Sequence, residues 1–157
     1  MKKIIITGGL GHIGSYLIRK ILKEKKHTHI IIIDNLSSQR LFSLFNLKKN
    51  GNKISFYDFD ITKKNITQIA QKSQMIIHLA AATDAERSLG KEKEYLENNL
   101  NGTKKVIEYA EKFNVPLIFP SSTSVYGKMK KNDILKEDDS DKLFPQSPYA
   151  KIKLSEE

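Results

Sequence analysis

The segment Thr7-Gly8-Gly9-Leu10-Gly11-His12-Ile13-Gly14 constrains this chain more than any other. It follows an aliphatic run at 3–7, the pattern of a strand buried on both faces. Beyond it Ile13, Leu17, Ile18, Ile21 and Leu22 recur at helical spacing, with Arg19, Lys20 and Lys23 between them. Gly9, Gly11 and Gly14 satisfy G-x-G-x-x-G, and Gly8, Gly11 and Gly14 satisfy G-x-x-G-x-x-G. A second strand-like run, 30–33, is β-branched throughout and stops at Asp34-Asn35, with Asp34 lying 20 residues after Gly14. Strand, glycine turn, helix and a strand-end acid in this order suit a dinucleotide. Bare main chain lets the backbone approach a pyrophosphate, whose charge sits on free N–H groups at the positive end of the helix. Asp34 is suited to accept hydrogen bonds from a ribose diol and to repel a 2′-phosphate, so the expected cofactor is NAD rather than NADP.

The rest of the chain continues the alternation. Leu41, Leu44, Phe45 and Leu47 suggest a helical piece closed by Asn50-Gly51, and Ile54 and Phe56, with Phe59, suggest a third strand. Residues 66–70 read as a short helix and 75–79 as a fourth strand. The stretch 91–113 carries Leu96, Leu100, Val106, Ile107 and Ala110 on one side of a long helix, and 115–119 makes a fifth strand. The order predicts a doubly wound, Rossmann-like α/β fold: a parallel sheet with helices on both faces, joined by right-handed crossovers. One NAD-binding domain over 1–157 is expected. The polar, proline-interrupted stretch 128–148 reads as a long loop, and the last helix starts with Ser147 as N-cap and Pro148 at its first position.

Composition closes other routes. The 157 residues include no cysteine, which excludes disulfides, thiolate metal sites and cysteine nucleophiles and makes a reducing cytoplasm the expected compartment. His27 and His29 lie in a lysine-rich turn with no carboxylate or cysteine at ligand spacing, so no metal is expected. No apolar run is long enough to span a bilayer, and the opening aliphatic residues break at Thr7, too early for a signal peptide, so no membrane association is expected. The net charge of +9 raises the question of nucleic acid. The excess is nearly all scattered lysine, with arginine at Arg19, Arg40 and Arg87 alone, and no nucleic-acid partner is expected.

The second chemical signal is Tyr149-Ala150-Lys151-Ile152-Lys153 on the terminal helix. A spacing of four puts the phenol and the Lys153 ammonium on one face, where the cation favours the phenolate needed for proton transfer. Together with the glycine turn, Ser121-Ser122-Thr123-Ser124-Val125-Tyr126-Gly127 after the fifth strand and His78-Leu79-Ala80-Ala81 after the fourth, the chain resembles the extended short-chain dehydrogenases/reductases. Within them it is most similar to the NAD-dependent epimerase/dehydratase family acting on nucleotide sugars, of the UDP-glucose 4-epimerase kind. The resemblance runs along the whole chain, with the motifs in the family's order and spacing.

The resemblance implies a role for each matching residue. Gly8, Gly11, His12, Ile13 and Gly14 would form the pyrophosphate turn, and Asp34 with Asn35 would contact the ribose. Asp60 and Ile61 match the family's pair at the adenine, Ala80 and Ala81 line the cofactor channel, and Asn99 matches its buried asparagine under the active site. Tyr149 would be the base, with Lys153 holding the nicotinamide ribose while biasing the phenol. Ser122, five residues before Gly127, would bond the reacting sugar hydroxyl, and Ser124 would touch the substrate.

The implied reaction takes a proton from a sugar hydroxyl, conventionally at C4, while the carbon gives hydride to NAD; an epimerase then returns hydride to the other face of the 4-keto sugar. The family's dehydratases place Asp-Glu just after the serine or threonine, where this chain has Thr123 and Ser124, so dehydration is disfavoured. A reductase, a decarboxylase and a dinucleotide-binding module without turnover are the alternative readings. Family members run to about twice this length, with a C-terminal domain binding the nucleotide sugar, so the sequence reads as the N-terminal part. A UDP-sugar is the expected substrate, and a homodimer through the long and terminal helices is the family's expectation.

Overall fold

Isoleucine-rich runs stack edge to edge because their β-branched side chains fill both faces of a pleated surface. The structure, a computed structural model, describes residues 1–128, 136 and 143–157. Its strands are β1 (Lys2–Thr7), β2 (Thr28–Asp34), β3 (Lys53–Asp58), β4 (Met75–His78) and β5 (Leu117–Ile118). They form one sheet in the order β3-β2-β1-β4-β5, with every pairing parallel. The chain leaves β1 toward one edge and returns at β4 to build the other, so β1 and β4 flank the point where strand order reverses.

The helices are α1 (His12–Glu24), α2 (Glu92–Tyr95), α3 (Asn101–Phe113) and α4 (Pro148–Glu156). Side chains alternate between the two faces of the sheet. On one, Ile5, Ile31, Ile33 and Ile76 pack with Val106, Tyr109 and Ala110 of α3. On the other, Ile6, Ile30, Ile32 and Ile77 pack with Ile18 and Leu22 of α1. This is the expected doubly wound arrangement, with apolar layers on both sides of a parallel sheet.

Within the span read as one domain, the residues gather into two compact units. The first, Met1–Ala81 with Gly102–Pro120, holds the sheet. The second, Ala82–Asn101 with Ser121–Glu157, has its own apolar cluster of Tyr95, Tyr149 and Ile152, against which Ala82, Ala85 and Leu100 pack.

Several elements differ from expectation for visible reasons. The fifth strand shrinks from 115–119 to two residues, because Pro116 and Pro120 on either side lack the N–H a ladder needs. Phe59 lies beyond the end of β3 and is buried in the core. The helical pieces expected near 41–47 and 66–70 are 3-10 turns, Leu41–Leu44 and Ile66–Gln68; left-handed backbone at Asn46 follows the first. The long helix is interrupted by a π turn at Leu96–Leu100, which shifts its phase. Tyr95 and Tyr109 are buried there, while Leu96, expected inside, is exposed. Ile13, also expected on the core side, is 66% exposed on the first turn of α1. Ser147 does cap α4, its hydroxyl accepting from the Ala150 N–H at 3.1 Å, with Pro148 in the first turn. The loop expected at 128–148, including Lys130 and Lys131, lies mostly outside the described residues. Among the described residues no helix is long and apolar enough to cross a membrane.

Ile32 is fully buried between β2 and α1. Ile32→Ala should lower the unfolding free energy by about 2–5 kcal/mol, and Ile32→Val by about 0.5–1.5, measured by urea denaturation.

Candidate functional site

The glycine turn is closed so tightly that side chains cannot enter it. Gly8 has φ +63°, and a Cβ there would lie 2.6 Å from the Ala80 nitrogen, which belongs to the segment after β4. At Gly14 a Cβ would lie 2.7 Å from the Gly8 carbonyl oxygen. The Gly8 N–H donates to the Ile33 carbonyl at 2.8 Å and the Gly11 N–H to Gly8 at 3.1 Å, pinning the turn to β2. α1 then begins after Gly11, its N-cap, with no side-chain cap, so His12, Ile13 and Gly14 present first-turn N–H groups at the positive end of the helix. A cradle walled by main chain and headed by a helix N-terminus fits a dinucleotide pyrophosphate.

Asp34, buried at the end of β2, braces the turn from the side. Its Oδ2 accepts the Leu10 N–H and its Oδ1 the Leu36 N–H, each at 3.0 Å. Ser43 adds a bond from its hydroxyl to the Leu10 carbonyl at 3.1 Å. Asn35 is exposed and accepts from the Ser37 N–H at 3.1 Å. His12 faces the Arg40 guanidinium, with nitrogen separations of 2.7 and 3.1 Å. Arg40 and Ser43 were not legible as site residues, because the groups they meet, the His12 ring and the Leu10 carbonyl, lie 28 and 33 residues away in sequence.

Asp60 follows β3. Burial works against its charged form, but the Thr62 hydroxyl and N–H and the Lys63 ammonium outweigh that and hold its carboxyl below the ordinary value. The Thr62 bonds to Oδ1 are 2.7 and 2.9 Å, and Lys63 lies 3.2 Å from Oδ2. Ile61 is buried in the core beside Gly102, and Ala80 and Ala81 are half-buried.

The second unit carries the remaining residues. Asn99 is fully buried in the π turn, its amide bonding both the N–H and the carbonyl of Ala82, at 2.8 and 3.0 Å. A widened turn with a committed amide is a frequent mark of a functional segment. Ser122 caps the 3-10 turn Thr123–Tyr126, and its hydroxyl lies 2.8 Å from that of Ser124. Tyr149 and Lys153 are both buried on α4, and the Tyr149 N–H donates to the Ser88 hydroxyl at 3.2 Å. α4 packs on both the π turn and the 3-10 turn, bringing the segments that carry Asn99, Ser122 and Tyr149 together. The Lys153 ammonium lies 3.0 Å from the Glu156 carboxylate, with side chains 4% and 1% exposed. Glu156 was missed by sequence reasoning; its signal is the three-residue helical spacing from Lys153.

The depressed folded-state titration of Asp60 has a defined sign. The unfolded carboxyl takes up protons first, so the contribution of Asp60 is complete above the ordinary value of 3.8 and is lost as pH falls through the lower folded value. Thermal midpoints of the unaltered chain and Asp60→Asn should therefore differ more near neutrality than well below 3.8.

The sequence model of the NAD dependent epimerase/dehydratase family matches residues 4–157. A Bacillus subtilis (strain 168) protein described as an uncharacterized UDP-glucose epimerase is 32% identical over 162 residues, covering 99% of this chain and 49% of that protein. The structure of UDP-N-acetylglucosamine 4-epimerase from Methanobrevibacter ruminantium M1, in complex with UDP-N-acetylmuramic acid, matches with a TM-score of 0.85 and 32% identity. That match covers 99% of this chain and 48% of the other. A mutant of UDP-glucuronic acid 4-epimerase from Bacillus cereus, solved with UDP-4-deoxy-4-fluoro-glucuronic acid and NAD, matches with a TM-score of 0.82 and 29% identity, covering 98% of this chain and 49% of that one. This chain spans about half the length of the relatives it matches. The matched span takes in the glycine turn, the Ser122 turn and the Tyr149–Lys153 helix, and the chain belongs to the NAD dependent epimerase/dehydratase family of enzymes.

Proposed function

We propose that this chain is the NAD-binding part of a nucleotide-sugar epimerase and carries its reaction base. The observation that supports this most is the closed approach of Gly8 to Ala80 at the carboxyl ends of β1 and β4, where doubly wound sheets bind their ligands. In this reading the N–H groups of His12, Ile13 and Gly14 in the first turn of α1 hold the pyrophosphate, and Gly8 and Gly11, whose own N–H groups are engaged within the fold, supply the bare main chain it approaches. Asp34, already fixed by two backbone bonds, offers its remaining lone pairs to the adenosine ribose, with Asn35 beside it. Asp60 and Ile61 bound the adenine, and Ala80 and Ala81 leave room beside the turn. Bound NAD supplies reversible hydride exchange at the sugar carbon.

Tyr149 removes the proton from the sugar hydroxyl, conventionally at C4, and later returns it, while Lys153 holds the nicotinamide ribose. Ser122 holds the same hydroxyl and Ser124 supports it. Asn99 acts through the backbone, fixing Ala82 by two hydrogen bonds. Thr123 and Ser124 supply no acid–base pair, which favours epimerisation over dehydration. The 4-epimerases among the solved relatives support a UDP-sugar as substrate.

Calorimetry should detect NAD binding to this chain, and Gly8→Ala, which forces a Cβ onto left-handed backbone against Ala80, should weaken it by at least about tenfold. Assayed in a version that also carries the sugar-binding part, Tyr149→Phe should reduce interconversion of UDP-glucose and UDP-galactose by about 10²–10⁴-fold. A chain that retains no NAD overturns the proposal.

A further inference from the structure

His78, the last residue of β4, is 2% exposed and takes no part in the chemistry above. It is the register partner of Thr7, the last residue of β1, directly before the glycine turn. The two strand ends are bonded through their side chains, Thr7 Oγ1 lying 2.6 Å from His78 Nδ1. Thr7 Oγ1 also accepts the Ala80 N–H at 3.3 Å, and the Thr7 carbonyl accepts the Leu79 N–H at 3.0 Å. On its far side the ring places Nε2 3.0 Å from the Thr103 hydroxyl on α3, and it stacks on Phe119 at 6.0 Å between centroids. Ala80 is the residue whose nitrogen a Cβ at Gly8 would strike. The atoms that set the width of the cradle are thus fixed through Thr7 to an imidazole.

We propose that His78 is a positioning residue for the dinucleotide turn, neutral and carrying its proton on Nε2. In that tautomer the Ala80 N–H donates to Thr7, the Thr7 hydroxyl donates to Nδ1, and Nε2–H donates to Thr103, so the Thr7 hydroxyl proton has an acceptor while its oxygen receives the Ala80 N–H. The bare Nδ1 orients the Thr7 hydroxyl so that its lone pair faces Ala80, and this holds the Ala80 peptide against Gly8. Thr103 and Phe119 keep the ring from turning. The proposal rests on the cofactor role given to the glycine turn.

The test separates the two ends of the ring. Asparagine places an acceptor near the Nδ1 position, and glutamine places a donor near Nε2. With NAD as the titrant, His78→Asn should bind close to the unaltered chain and His78→Gln should bind about tenfold more weakly than His78→Asn, the scale of one lost hydrogen bond. Thermal midpoints of both variants supply the control, since a role confined to packing makes affinity follow stability. Nitrogen-15 NMR of the unaltered chain at neutral pH should show His78 protonated at Nε2 and bare at Nδ1, which decides the matter even if neither variant folds. A proton on Nδ1, or equal NAD affinity in the two variants, overturns the positioning role alone. No NAD binding by the unaltered chain overturns the cofactor reading and this role with it.

Discussion

The missing side chain at Gly8 is the constraint on which the first unit depends. β1 and β4 are neighbours in the sheet, so the segments leaving their carboxyl ends must pass each other within van der Waals reach. A hydrogen atom fits there and a methyl group does not, because the Ala80 peptide already occupies the space. Around that approach the polar groups are spent on fixing main chain: Ile33 on Gly8, Asp34 on Leu10 and Leu36, and Thr7 on Leu79 and Ala80. The apolar layers of isoleucine on either face then lock strands whose ends have no freedom to open.

Much of this was legible in the sequence because it rests on local rules. The runs around Ile5, Ile31 and Ile76 announce buried strands, the glycines announce the turn, and Ser147-Pro148 announces the start of α4. What was not legible rests on non-local contacts or on a local exception. Nothing in the spacing of Leu96, Leu100 and Val106 reveals the π turn, whose visible partner is the Ala82 backbone, 17 residues from Asn99. Arg40 is unremarkable in sequence and meets His12 only when the chain has folded. Asp34 was read as a ribose ligand, and the structure adds a bracing role that spacing from Gly14 cannot show, since it depends on where Leu10 and Leu36 point their N–H groups.

The two compact units differ in the chemical groups they carry. The sheet unit contributes main-chain donors and a strand-end carboxylate, groups suited to holding phosphate and ribose. The other contributes hydroxyls, a phenol and an ammonium, groups suited to moving a proton. Each therefore has its own requirement for order: close backbone packing in the first, and a buried ionic pair beside an aromatic cluster in the second.

That ionic pair carries an evolutionary consequence. Lys153 and Glu156 are withdrawn from water within one turn of α4, so exchanging either one by itself takes a counter-charge away from a buried partner. Replacing both together by apolar residues of similar volume is far cheaper. A lineage that abandons the lysine has every reason to shed the glutamate in the same step, and one that keeps the lysine inherits the glutamate as its chaperone.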